Sequence, residues 1–402
     1  MRKIFIYTAC YPFAKTTESY LTAELNVVAN DYDITIVPIK KEQYVRPLNS
    51  RVKLDCSLRE MSVWKCGLAF CKALNPKYLW PALKEGCKLG GMKYMKDALK
   101  YLYAINKVSI DLEKRADIQE KSVFYCYWLS FVPVTFALYK KRHPNTKHIF
   151  VSRGHGSDIY ATLQGVYYPL REFGLKYIDA VYTVSEFGAK FLQERYPAYA
   201  SKIHVSRLGI PSIRGHVMDN SSIVRILSVS SVYPFKRVSL LYNSIFSYAI
   251  SHPEKNVEWI HCGDGELFEN LKKDISNNGD IPNLRVILKG RITNEEVLDL
   301  YRHTYISAYA LLSTSEGVPV SIMESLASCT PVIACDAGGV REIVNDETGC
   351  LLPKEFTQKD FDSALDYLIS NNRQLSLSSY HFFKKNYSDQ NFKEFYKQIC
   401  SL

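Results

Sequence analysis

Residues 312–344 read LSTSEGVPVSIMESLASCTPVIACDAGGVREIV. The apolar run Ser307–Leu312 ends in a polar turn, Ser313-Thr314-Ser315-Glu316-Gly317, and the pattern predicts a helix starting near Pro319. Proline suits the first helical position, where its missing N–H would lack an intrahelical acceptor anyway. The small residues of Ser325–Thr330 then lead into a second apolar run, Val332–Cys335. Strand, turn, helix and strand in this order make a βαβ unit, whose strands run parallel. The backbone around Gly317, Val318, Pro319 and Val320 is expected to offer unpaired N–H groups to an anion. Glu316 stands at the mouth of this turn and Glu324 about two helical turns further on. A carboxylate accepts from both hydroxyls of a vicinal diol, so the pair suits a ligand of two sugar rings joined by phosphates.

Working outward, the same rhythm of short apolar run, turn and amphipathic helix fills both halves of the chain. In the first half the predicted strands are Lys3–Cys10, Ile34–Ile39, Val123–Trp128, His148–Ser152, Ala180–Ser185 and His204–Leu208. In the second they are Val224–Val229, Val257–Cys262, Leu284–Lys289, Ser307–Leu312, Val332–Cys335 and Cys350–Leu352. A single sheet of twelve strands is improbable, so the expected fold class is α/β with two doubly wound, Rossmann-like domains facing a central cleft. The polar stretch after Leu208, GIPSIRGHVMDNSS, marks the boundary. The expected division is residues 1–209, a linker at 210–222, a second domain at 223–380 and a C-terminal helical segment at 381–402. A Lys-rich insert at about 50–115 shows helical spacing and no clear strand.

The chain has 402 residues, 47% apolar, with 51 basic and 41 acidic side chains. This composition excludes disordered and collagen-like chains. Eleven cysteines without a CxxC pair favour reduced thiols over a disulfide framework or a zinc site. The start, MRKIFIYTAC, has no small-x-small cleavage site, which argues against a signal peptide. Ser122–Tyr139 is uncharged but contains Pro133, and reads as strand then helix rather than a membrane span. The net charge of +10 is concentrated: residues 61–110 hold nine lysines and two acids, Glu85 and Asp97, for +7. These lysines are interleaved with Trp64, Phe70, Tyr78, Leu79, Trp80, Tyr94, Tyr101, Leu102 and Tyr103. Such a mixture suits an anionic membrane surface, and no nucleic-acid motif accompanies it.

The run 312–344 resembles the donor-binding signature of retaining glycosyltransferases of family four, the GT-B group, with E-x7-E at Glu316 and Glu324. The resemblance implies that Glu316 holds the donor sugar, Glu324 the ribose, and Gly317, Val318, Pro319 and Val320 the phosphates. Lys236, in VSSVYPFKRVSLL, falls where these enzymes place a lysine on the diphosphate, with Arg237 beside it. Ser230-Ser231 stands where the family usually has Gly-Arg. Gly263 and Gly265 resemble the family's Gly-x-Gly turn, and Arg291 and Ile292 the segment reading the base. In the first half, RGHGSD places His155 and Asp158 in the family's His-Gly-x-Asp element near the donor sugar. Arg207 approaches the cleft or the hinge. The first βα connection departs from the family, with Ala14-Lys15-Thr16-Thr17 in place of a glycine pair and Glu18 at the acidic position that often follows. Lys15, Thr16 and Thr17 are candidate donors there.

The implied reaction moves a hexose or N-acetylhexosamine from a UDP- or GDP-sugar to a glycan acceptor, lipid-linked, in bacterial surface polysaccharide synthesis. Its implied catalytic residues are His155, Glu316 and Lys236, with no metal and no cofactor besides the sugar nucleotide. Asp31-Tyr32-Asp33, an Asp-x-Asp before an early strand, reads as a turn. The implied partners are the donor and the saccharide acceptor; from their lysines and aromatics, residues 61–110 are expected to meet an anionic membrane surface, and no nucleic acid is expected. The implied location is cytoplasmic, at the inner face of the plasma membrane. A nucleotide-sugar epimerase of the same shape and a non-catalytic partner subunit remain alternatives.

Overall fold

The computed structural model describes every residue except 15, 16, 19, 41–44 and 214–221, and leaves out the side chains of 163 and 164. The chain divides into two units. The first is Met1–Leu208 with Gln390–Leu402, and the second is Gly209–Asp389.

The first unit is built on β1 (Lys3–Thr8), β2 (Asp33–Pro38), β3 (Lys53–Leu54), β4 (Val123–Cys126), β5 (Ile149–Gly154), β6 (Ala180–Thr183) and β7 (Ile203–Val205). They form one parallel sheet in the order β3-β2-β1-β4-β5-β6-β7. Both faces are covered, so β4, β5 and β6 are buried throughout rather than alternating between buried and exposed. Successive residues still point to opposite faces. Phe5, Tyr7, Phe124 and Phe150 meet helix Val132–Arg142 and the Lys-rich helices. Ile4, Ile6, Tyr125 and Val151 meet helices Tyr20–Val28 and Gln390–Ser401.

The second unit holds β8 (Ile223–Val229), β9 (Asn256–Cys262), β10 (Leu284–Gly290), β11 (Ala308–Leu311), β12 (Val332–Cys335) and β13 (Gly349–Leu352). The order is β10-β9-β8-β11-β12-β13, again all parallel. Trp259 lies at its centre, among Tyr242 and Ile245 of helix Val238–Ser251 and other apolar residues of the core. In each sheet the strand order reverses at one place, between β1 and β4 and between β8 and β11. Ligands of such sheets bind outside the carboxyl ends of the strands at that reversal.

Several expectations change. The C-terminal segment 381–402 is split. Helix Asn372–Asn386 completes the second unit, whereas Gln390–Ser401 returns to the first. Phe392, Phe395, Tyr396 and Ile399, one helical face, bury against β1, β4 and β5. The second unit starts at Gly209, and Ile210 N–H donates to Tyr387 O; the linker expected at 210–222 falls largely outside the described residues. The Lys-rich insert begins with the two-residue edge strand β3, then runs through helices Val63–Ala73, Pro76–Gly90 and Met92–Arg115. Of its interleaved aromatic and leucine side chains, Tyr78, Leu79, Tyr94, Tyr101, Leu102 and Tyr103 pack on the core, while Trp64, Phe70 and Trp80 are exposed. Pro319 caps helix Val320–Ala327 rather than opening its first turn. Ser122–Tyr139 contains β4 and most of a helix. No helix among the described residues is long and apolar enough to cross a membrane. All eleven cysteines are free thiols.

Candidate functional site

In the second unit, β8 runs into a short turn, Pro234–Lys236, and β11 into the loop carrying Glu316. Lys236 Nζ lies 2.5 Å from Glu316 Oε1, so one ion pair bridges the two strand ends at the reversal point. Thr314 N–H donates to Phe235 O at 2.8 Å and fastens the same two loops. Arg237, in the left-handed region, takes a holding position. Its guanidinium donates to Leu312 O at 2.6 Å, Lys354 O at 2.8 Å and Cys335 Sγ at 3.1 Å. Leu312 and Lys354 follow β11 and β13 and Cys335 ends β12, so the arginine expected on phosphate ties together the strand ends around Glu316.

Two glycines set the backbone. At Gly338, with φ +59°, a Cβ would stand 2.0 Å from Glu316 O. At Gly263, with φ +147°, it would stand 1.9 Å from Ser230 O. Neither position admits a side chain, because the loops after neighbouring strands lie backbone to backbone there. Gly265 is similarly close to Val232. Arg291 follows β10 and pairs with Asp264 at 2.9 Å on the surface, and Ile292 is partly buried beside it.

Glu324 lies buried on helix Val320–Ala327, together with Val318, Pro319 and Val320 at its start; Gly317 is partly exposed. Burial pushes the Glu324 carboxyl up to about 7, offset in part by Asn294 Nδ2, which donates to Oε1 at 2.6 Å. A buried carboxyl with one amide partner has acceptor capacity to spare. Asn294 was not singled out by sequence; it opens a helix after β10 with no motif of its own, although Thr293 and Glu296 around it form a capping box.

The first unit brings other candidates together. Glu18 is buried and its carboxylate accepts from Ala9 N at 2.6 Å, Cys10 N at 2.9 Å and Tyr11 N at 2.7 Å. Trp128 Nε1 donates to it at 2.6 Å. Glu18 follows β1 and Trp128 follows β4, so this contact spans the reversal of the first sheet. The loop's own carboxylate thus occupies the N–H groups after β1. Lys15 and Thr16 lie outside the described residues, and Thr17 is exposed, its carbonyl accepting from Arg46 at 3.1 Å.

His155 follows β5, its ring 4.7 Å from that of Trp128 and 4.9 Å from that of Tyr127. Burial, with the Arg153 charge nearby, holds its imidazole down at about 3, so the ring is neutral. Nε2 faces the acceptor Tyr127 O at 3.1 Å and therefore carries the proton, leaving Nδ1 as the acceptor. Asp158 is buried and accepts from His155 N and Leu129 N, each at 2.8 Å. Burial raises its carboxyl to about 7, with Arg171 opposing. Asp158 therefore orients the His155 loop. Arg207 pairs with Glu186 at the start of helix Glu186–Arg195.

Among the described residues no group of three or more His, Cys, Asp or Glu is arranged to hold a metal ion. Asp33 opens β2 and pairs with Lys53 at 2.7 Å, so Asp31-Tyr32-Asp33 is a turn into a strand. A surface depression of about 610 Å³ near β13, lined by Arg341, Asp346, Cys350 and Tyr367 among others, includes none of the residues above.

Residues 221–390 match the family described as glycosyl transferases group 1. An O-antigen biosynthesis glycosyltransferase of Escherichia coli, WbnH, is 26% identical over 226 residues, 56% of this chain and 60% of the relative. The match thus spans less than two thirds of that relative's length. The lipopolysaccharide outer core galactosyltransferase WaaB superposes with a TM-score of 0.70 at 16% identity, covering 100% of this chain and 99% of that one. Anabaena HepE, solved in complex with UDP, superposes with a TM-score of 0.64 at 13% identity, covering 100% of both chains. The chain therefore has the GT-B fold of two Rossmann-like units, and residues 221–390, nearly all of its second unit, match the glycosyl transferases group 1 family.

Proposed function

We propose that the chain is a retaining glycosyltransferase that moves a hexose or N-acetylhexosamine from a UDP- or GDP-sugar to a lipid-linked saccharide. Its product would enter bacterial surface polysaccharide, assembled at the cytoplasmic face of the plasma membrane. The observation carrying this reading is the Lys236–Glu316 pair at the β8/β11 reversal, with buried Glu324 about one turn into the following helix. The UDP bound to Anabaena HepE and the O-antigen role in the WbnH name support the donor and product classes.

In this scheme the donor diphosphate takes Lys236 from Glu316, and Glu316 turns to the sugar hydroxyls. Glu324 accepts from the ribose diol. The bond from the anomeric carbon to the diphosphate oxygen breaks as the acceptor oxygen bonds the same face of that carbon. The acceptor proton passes to the departing diphosphate. Lys236 and the backbone N–H groups at the start of helix Val320–Ala327 stabilise the charge that develops there. This role for a fixed cation is why turnover is expected without a metal. Neutral His155 offers Nδ1 as acceptor to a sugar hydroxyl on the first unit.

The test is incubation with UDP- and GDP-sugars and lipid-linked saccharides, with and without chelator, followed by NMR of the anomeric proton. Product with the donor's anomeric configuration is expected, at an unchanged rate in chelator. An inverted product would sink the retaining assignment, and rescue by manganese the metal-free one. No transfer from any donor would remove the reading itself.

A further inference from the structure

Helices Val63–Ala73, Pro76–Gly90 and Met92–Arg115 carry a surface that is both strongly apolar and strongly basic. Val63 is 89% exposed, Trp64 83% and Trp80 71%, with Phe70, Leu74 and Met92 exposed as well. Single exposed apolar residues are ordinary, but several large ones on adjoining helices mark an interaction surface. On helix Val63–Ala73 only Ala69 and Ala73 are buried, so small residues face inward and the bulky ones outward. That inverts the usual amphipathic arrangement. On helix Pro76–Gly90, Lys77, Trp80, Lys84 and Lys88 recur at helical spacing and all are exposed. Lys93, Lys96 and Lys100 extend the charge on the third helix. Among the described residues none of the nine lysines of 61–110 forms an ion pair. Glu85, one of the two acids here, accepts from Tyr167.

We infer that this helical insert docks on an anionic lipid bilayer, with Trp64, Phe70 and Trp80 seated at the headgroup boundary and the lysines on lipid phosphates. Charge complementarity selects this partner. An uncompensated lysine field repels a second copy of the same surface, and tryptophan with lysine is the pairing favoured at the bilayer interface. The inference concerns binding alone and does not depend on turnover or on the donor.

The test uses the full chain and vesicles of phosphatidylcholine with or without phosphatidylglycerol, read by co-sedimentation and tryptophan fluorescence. The chain has four tryptophans, and the other two, Trp128 and Trp259, are partly or fully buried. Binding to the anionic vesicles only, weakened by salt and accompanied by a blue shift, is expected. Each lysine contributes on the order of fivefold in partitioning, so K84Q/K88Q/K93Q/K96Q is expected to lose at least about a hundredfold. W64A/W80A is expected to abolish the blue shift while its thermal melt stays unchanged, since neither side chain is in the core. Equal partitioning onto neutral and anionic vesicles, or a blue shift that survives W64A/W80A, overturns the proposal. So does a chain that ignores vesicles and elutes as a dimer dissolved by W64A, which would make this face a protein interface.

Discussion

Lys236 and Glu316 form an ion pair that closes over the carboxyl ends of β8 and β11, where the strand order of the second sheet reverses. On the proposed reading, a donor diphosphate takes this lysine from the carboxylate. Lys236→Ala removes a charged hydrogen bond of about 1.5–3 kcal/mol. Calorimetric titration with UDP is expected to show a loss of roughly 10- to 150-fold in affinity, partly restored by Lys236→Arg. Wild-type affinity in the alanine variant would take the phosphate away from this residue.

Glu324 is raised by burial from its ordinary 4.5 to about 7, so the folded chain binds a proton that the unfolded chain has released. Its contribution to stability is complete below about 4.5 and is lost as pH rises to about 7, at about 1.4 kcal/mol per pH unit. Glu324→Gln keeps the acceptor for Asn294 without the charge. Melting at pH 5 and pH 8 is therefore expected to show the variant gaining on the wild type at the higher pH. A difference in Tm that stays constant with pH would contradict the burial argument.

His155 has the opposite shift and should not titrate near neutrality. Assigned histidine NMR between pH 5 and pH 8 is expected to show the His155 ring neutral and protonated at Nε2, with no change in its nitrogen shifts. A midpoint near 6.5 for this ring would refute the tautomer and the neutrality together.

Gly338→Ala places a methyl group against Glu316 O from a left-handed backbone. The backbone must move, so a loss of about 2–4 kcal/mol in stability is expected together with lower activity. Circular-dichroism melts measure the first. A variant as stable as the wild type would show that the 316 and 338 loops are not in contact.

Arg153 and Glu24 form a fully buried ion pair at 3.0 Å, and Tyr396 donates to Glu24 at 3.0 Å. Glu24→Ala strands the guanidinium and is expected to cost about 3–5 kcal/mol. Tyr396→Phe removes a single hydrogen bond and is expected to cost about 1–2 kcal/mol. Urea melts of both variants test whether the C-terminal helix helps hold the first unit.

The βαβ order, both sheets and the positions of Lys236, Glu316 and Glu324 were legible because each depends on a contiguous stretch: apolar run, turn, capped helix. Glu316 and Glu324 share one strand-turn-helix passage, so their spacing is written in the chain. What the chain does not write is who meets whom across a sheet. Trp128 reaches Glu18 because β4 lies beside β1, and Asn294 reaches Glu324 from the loop after β10. Arg237 likewise finds its acceptors, Leu312, Cys335 and Lys354, at the ends of three strands that are distant from it in the chain. The lysine-rich segment shows the same division. Its charge and aromatic content are sequence properties, but only packing on the core decided that Tyr94 and Tyr101 turn inward while Trp64 and Trp80 face out. Helical spacing defines faces, and the burial of one of them is a property of the neighbour it meets.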